Sequence, residues 1–108
     1  MTSILLPDTI DDEPALPAGV RALRYHPGAP LPTGADEAEA LVVWTLDPGT
    51  LPELAALPRL RWVQTLAAGP DAVLAAGFAP SVAVTSGRGL HDDPVAEHVL
   101  ALTLSLVR

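Results

Sequence analysis

Leu41-Val42-Val43-Trp44-Thr45, then Thr50-Leu51-Pro52-Glu53 running on to Leu57, then Leu60-Arg61-Trp62-Val63-Gln64-Thr65-Leu66: these three consecutive segments decide how the chain folds. The first is apolar at successive positions, which suits a strand covered on both faces, as parallel strands are. The second carries Thr50 as a helix cap with Glu53 at the third helical position. That spacing predicts a capping box, in which each side chain satisfies an orphan backbone N–H, and a helix over residues 51–57 ended by Pro58. The third returns to a strand pattern. Strand, helix, strand within so few residues implies a parallel crossover unit.

Working outward extends the alternation. Towards the N-terminus, residues 35–40 are acidic and helix-favouring, residues 26–34 are Pro/Gly-rich loop, and residues 20–25 (Val-Arg-Ala-Leu-Arg-Tyr) read as a strand with Arg21 and Arg24 outward. A Pro-broken acidic segment over 8–19, loop or a short helical turn, joins that strand to a first one at residues 3–6. Towards the C-terminus, the turn Ala67-Ala68-Gly69-Pro70-Asp71 leads to a short helix over 72–76, with Gly77 placed to take the left-handed conformation. A last strand follows at 82–85. Residues 93–108 then form a helix, with Asp93 as cap and Pro94 in its first turn. The pattern predicts an α/β fold: a flavodoxin-like parallel half-domain with helices on both faces, ending in a long helix. That helix is apolar nearly all round, at Val95, Ala96, Val99, Leu100, Ala101, Leu102, Leu104, Leu106 and Val107, and a helix of this kind expects protein on most sides.

Composition narrows the function. The 108 residues carry a formal charge of −7, and the six basic residues are all arginine. A polyanion is repelled by such a surface, so nucleic acid and anionic membrane are poor partners. The acids gather at Asp8, Asp11, Asp12 and Glu13 and again at Asp36, Glu37 and Glu39, as solvated loop and helix-end charge. Without cysteine there is neither disulfide nor thiolate metal site, and the three histidines lack metal-ligand spacing, so no metal is expected. No secretory leader and no bilayer-length apolar run is evident, and the expected location is the cytoplasm.

From Leu57 onward three local patterns occur in order. Leu57-Pro58-Arg59-Leu60-Arg61-Trp62-Val63-Gln64 leads into Ala67-Ala68-Gly69-Pro70-Asp71. Next comes Val82-Ala83-Val84-Thr85-Ser86-Gly87-Arg88-Gly89-Leu90-His91-Asp92, and then Val95-Ala96-Glu97-His98-Val99-Leu100-Ala101. Together they resemble the N-terminal substrate domain of the D-isomer-specific 2-hydroxyacid dehydrogenases, over about half the chain. The resemblance implies that residues 1–92 are the first part of a substrate domain and residues 93–108 the start of an interdomain helix. A dinucleotide-binding domain, outside this chain, would follow. It implies that main-chain N–H groups at Ala67, Ala68 and Gly69 hold a substrate carboxylate, that Thr45, Arg88 and His91 line the substrate side, and that Pro94 and Val95 meet a nicotinamide. The parent would pass hydride between NAD or NADP and a small 2-keto or 2-hydroxy acid, as a homodimer. The family's catalytic arginine, glutamate and histidine belong to the other half, so no catalytic residue is expected here. Pro70 departs from the aliphatic residue usual in the family. Trp44-Thr45-Leu46 replaces the arginines that hold a phosphate in phosphoglycerate dehydrogenases, which implies a substrate with an uncharged or apolar side chain.

The residues also admit plainer readings. Small residues let a main chain approach an anion, and successive N–H groups form an anion nest. The same turn also reads as a strand-to-helix corner with Asp71 capping. Trp44 suits core packing, and a single exposed arginine is commonly only solvated. No Gly-x-Gly-x-x-Gly occurs, so the dinucleotide fingerprint is missing from this chain. Two other classes stay open. One is a non-catalytic interaction or small-acid-binding module that dimerises through its last helix. The other is a receiver-like signalling domain, which has Asp8 and Asp47 loosely in place but lacks a late lysine.

Overall fold

The computed structural model describes residues 1–12, 14–44 and 47–107. Five strands, β1 (Thr2–Pro7), β2 (Val20–Tyr25), β3 (Ala38–Val43), β4 (Trp62–Thr65) and β5 (Ala83–Thr85), form one sheet in the order β2-β1-β3-β4-β5. Every neighbouring pair is parallel. Helix α1 (Thr50–Ala55) joins β3 to β4, α2 (Asp71–Leu74) joins β4 to β5, and α3 (Asp92–Leu106) follows β5. The chain is thus an α/β fold with an all-parallel sheet and a C-terminal helix.

The side-chain period of two divides the sheet into unlike faces. Leu5, Leu41, Val43 and Val63 lie on one face, fully buried, with Leu51 and Leu54 of α1 and Val73 of α2 packed in the same core. The alternate residues Ala40, Val42 and Gln64 are only half-buried, while Trp62, Ala83 and Thr85 are exposed. Handedness explains the asymmetry. Moving from β2 to β3, to β4 and to β5 crosses the sheet in one direction, so right-handed connections place all three on the same face. Only the β1–β2 connection runs the other way, and it is the loop over 8–19. Helices on both faces are therefore not found among the described residues. The prolines at 7, 14 and 17 keep the one segment that should cover the second face from becoming helical. Arg24 partly substitutes for that helix: its guanidinium donates to the carbonyls of Pro7, Ile10 and Asp12.

Several local expectations are adjusted. Residues 35–40 split into a single 3-10 turn (Ala35–Glu37) and the first half of β3, because Ala38 is wholly buried in the sheet. Thr50 is inside α1 rather than its cap. The capping oxygen belongs to Asp47, whose Oδ2 accepts from the Thr50 N–H at 2.9 Å, and no capping box forms with Glu53. The last helix starts at Asp92, with His91 before it, and Asp93 makes no cap bond. Gly77 does take the left-handed conformation, at φ +93°.

Candidate functional site

The carboxyl ends of β4 and β5 carry the two loops singled out in the sequence, and main-chain bonds fix them. β4 continues past Thr65 into Leu66, whose N–H donates to the carbonyl of Val43 at 2.9 Å. From the neighbouring loop, the Gly87 N–H donates to the carbonyl of Ala67 at 2.9 Å. Gly87 is buried, and a Cβ there would strike the carbonyl group of Leu66. Glycine is therefore required by space between two backbones. Two residues on, Gly89 at φ +91° turns the chain towards α3.

His91 completes the lock. Its Nε2 lies 3.0 Å from the Leu66 carbonyl oxygen; a carbonyl only accepts, so the proton is on Nε2. Its ring stands against Trp44, with centroids 5.7 Å apart and planes at 33°. The residue expected to be a substrate contact thus has one nitrogen committed to the main chain. It joins the end of β3, the end of β4 and the root of α3.

This framework spares some donors and uses others. The Ala67 N–H donates to Thr65 Oγ1 at 3.2 Å and is not free for a ligand. The Ala68 and Gly69 amides, both in exposed residues, make no hydrogen bond among the described residues. The cradle expected at residues 67–69 therefore narrows to two amides. Arg88 is exposed on the adjoining loop, and among the described residues its guanidinium has no partner. Pro94 and Val95 are exposed in the first turns of α3. Thr45 lies outside the described residues. Gly87 and Thr65, which received no role from the sequence, set the geometry. The tight Ser86-Gly87-Arg88-Gly89 spacing is the signal for Gly87; nothing local marks Thr65.

The other half of the same rim is built differently. Asp47 Oδ2 accepts from both the N–H and the hydroxyl of Thr50, and the Thr50 oxygen accepts from the Gly28 N–H at 2.6 Å. The Tyr25 hydroxyl donates to the Val42 carbonyl at 2.7 Å. Burial, with the Asp8 charge adding to it, pushes the Tyr25 phenol well above its ordinary value. Asp8 and His26 form an exposed pair at 2.9 Å. A cleft of about 400 Å³ opens between the loop after β2 and α1, walled by Asp47 and Glu53. Another, of about 580 Å³, opens at the amino ends of the strands by Glu39, Arg61 and Trp62. Neither reaches the amides of Ala68 and Gly69. Among the described residues no three His, Asp or Glu side chains converge as a metal would need, and no helix is long and apolar enough to cross a membrane.

No protein-family model, no curated protein and no solved structure matches this chain.

Proposed function

We propose that the chain is a flavodoxin-like half-domain that holds a small organic carboxylate, the substrate-binding part of a D-2-hydroxyacid dehydrogenase-type enzyme. The observation that carries this reading is the pair of amides at Ala68 and Gly69, unbonded among the described residues, with the exposed Arg88 on the adjoining loop, at the carboxyl rim of a parallel sheet. Ligands of open α/β sheets gather at this rim, and successive N–H groups with a nearby guanidinium suit a carboxylate. Trp44, 40% exposed beside His91, offers an apolar wall for the rest of the ligand. The 2-keto or 2-hydroxy acid class is taken from the resemblance, and the Trp44 wall suits a side chain that is uncharged.

The role of these residues is binding and orientation. Ala68 and Gly69 donate to carboxylate oxygens, Arg88 supplies charge, and His91 keeps the two loops in register. The dinucleotide is assigned elsewhere, because no Gly-x-Gly-x-x-Gly fingerprint occurs in the sequence. Its pyrophosphate needs a Gly-rich turn running from a strand straight into a helix, whereas β1 runs into Asp8, paired with His26, and no helix intervenes before β2 among the described residues. NAD or NADP, the hydride step and the groups that move protons are assigned to a separate dinucleotide-binding domain reached through α3.

Titration with pyruvate and phenylpyruvate, followed by backbone amide resonances, tests the reading. The Ala68 and Gly69 amides are expected to shift together while Ala67 stays put. Phenylpyruvate is expected to bind more tightly, and Arg88→Gln to weaken binding about tenfold, equivalent to about 1.4 kcal/mol. Shifts confined to other parts of the rim would remove the proposal.

A second reading, an interaction module, is favoured by one observation: no residue of α3 is buried.

A further inference from the structure

The ring of His91 reaches the Leu66 carbonyl at the end of β4 and stands against Trp44 at the end of β3. The proton that makes the Leu66 bond is on Nε2, so the neutral ring keeps a lone pair on Nδ1. Among the described residues Nδ1 has no hydrogen-bond partner. A second proton can therefore be added there without breaking a bond. The loops stay in register in both states, and only the charge changes. Trp44 favours the charged form. Its ring centroid is 5.7 Å from that of His91, within the roughly 6 Å at which an aromatic ring attracts a cation.

The charges around the two loops give that proton a use. Residues 66–94 hold one guanidinium, Arg88, against the carboxylates of Asp71, Asp92 and Asp93. A Cβ on Gly69 would lie 3.8 Å from Asp71 Oδ2, and one on Gly89 would lie 4.0 Å from Asp92 Oδ2. From β3 and β4 the ring meets Trp44 and Leu66, which do not titrate, and Asp47 beyond Trp44 is committed to Thr50. Among the described residues none of these carboxylates forms an ion pair with His91. An anion entering at Ala68 and Gly69 thus meets more negative charge than positive.

We infer that the site takes up a proton together with its carboxylate ligand, and that the proton goes to His91 Nδ1, an inference resting on the carboxylate reading of Ala68, Gly69 and Arg88. The ligand arrives as an anion, the proton comes from solvent, and no covalent bond of the ligand changes. The Leu66 carbonyl that the ring bonds is two residues before Ala68, about 7 Å at full extension, so the new charge acts within about one Debye length. A unit charge at such a range near a protein surface changes affinity about tenfold. Histidine is the side chain that changes charge between about pH 5 and pH 8. The site therefore holds its acid more tightly in mildly acidic surroundings and releases it as pH rises.

Calorimetric titration of the 108-residue chain with pyruvate, at about pH 5.5 and about pH 8 and in buffers of different ionisation enthalpy, tests this. Affinity is expected to be about tenfold higher at the lower pH, with net proton uptake between them. The chain has three histidines, and His26 is paired with Asp8 while His98 lies on α3. Near neutral pH, pyruvate is expected to move the ring resonances of His91 towards those of imidazolium and to leave the other two unchanged. His91→Gln, which keeps an N–H for the Leu66 carbonyl, is expected to bind with the same affinity at both pH values. Affinity independent of pH in the parent chain overturns the inference. So does a pH slope that survives in His91→Gln, which places the proton on Asp71 or another group. If His91→Gln does not fold, the ring resonances of the parent decide alone, and a His91 ring that does not respond to bound pyruvate is overturning. Silence of the Ala68 and Gly69 amides at both pH values is a separate result: it removes the carboxylate reading and the proton uptake with it.

Discussion

The two halves of the carboxyl rim hold their loops together by opposite means. Across β2, β1 and β3 the ties beyond one backbone bond, from the Asp8 N–H to the Tyr25 carbonyl, are side chains: Tyr25 to Val42, Thr50 between Asp47 and Gly28, and Asp8 with His26. Across β4 and β5 the main ties are backbone groups, Leu66 to Val43 and Gly87 to Ala67, with His91 reaching a carbonyl. The order reversal between β1 and β3 is where a parallel sheet usually opens a crevice, and here, among the described residues, Tyr25 closes onto Val42 and Thr50 ties Asp47 to Gly28. Between β4 and β5 the backbone lock leaves two amides and a guanidinium unspent. A rim can offer donors to a ligand only where it does not need them to hold itself together. Each of the following substitutions acts on one half of this contrast.

Gly87→Ala should have the largest effect. The new methyl group would land on the Leu66 carbonyl group, which is backbone and cannot rotate away. The two loops must part, breaking the Gly87–Ala67 bond and moving His91. Forcing a methyl into a packed backbone contact costs about 3 kcal/mol, measured as a lower urea midpoint, with loss of the amide shifts at Ala68 and Gly69 on adding pyruvate. Full stability with binding intact would mean that main-chain packing is not what shapes this half.

Thr50→Val tests the other half. Valine keeps the volume of Thr50, which is 4% exposed, but removes the oxygen that Gly28 and Asp47 share. Losing it leaves one donor unmatched and one carboxylate bond unmade, about 1–2 kcal/mol. Carboxylate binding at Ala68 and Gly69 should be unchanged, because the bonds of Thr50 go to Asp47 and Gly28 and not to the loops after β4 and β5. A matching fall in binding would show that they are coupled.

The two halves are also unequally legible in the sequence. Strand positions follow from apolar runs. β2 is found at residues 20–25 as expected, because its ends are marked by Gly19 and Pro27. The capping of α1 is misleading in the sequence because Thr50 and Glu53 have the spacing of a capping box. Asp47, three residues upstream, takes the position first, and that competition is decided by loop geometry. The cover on the sheet is hidden for a topological reason. Alternation of strands and helices announces a parallel sheet but not which face each connection takes, and that depends on strand order. In the site, small residues at 67–69 signal an exposed turn. Only the fold shows that Thr65 consumes the first amide and that a buried glycine from another loop sets the spacing.

The smallest effect concerns Tyr25 and belongs to the stapled half alone. In the folded chain burial holds its phenol in the neutral form that donates to Val42, so its pKa is raised above the unfolded value of about 10. A raised acid pKa means that the unfolded chain releases its proton first as pH increases. The stabilisation is complete below about pH 10 and is withdrawn as pH climbs above it. Urea midpoints should therefore be flat between about pH 7 and pH 9 and fall above about pH 10. Tyr25→Phe should start lower, having lost the bond to Val42, but should lose less on raising the pH. The Ala68 and Gly69 amides, which no tyrosine supports, should still respond to pyruvate wherever the chain is folded. An alkaline slope unchanged in Tyr25→Phe would place the sensitive proton elsewhere and leave the stapled half without its pH signature.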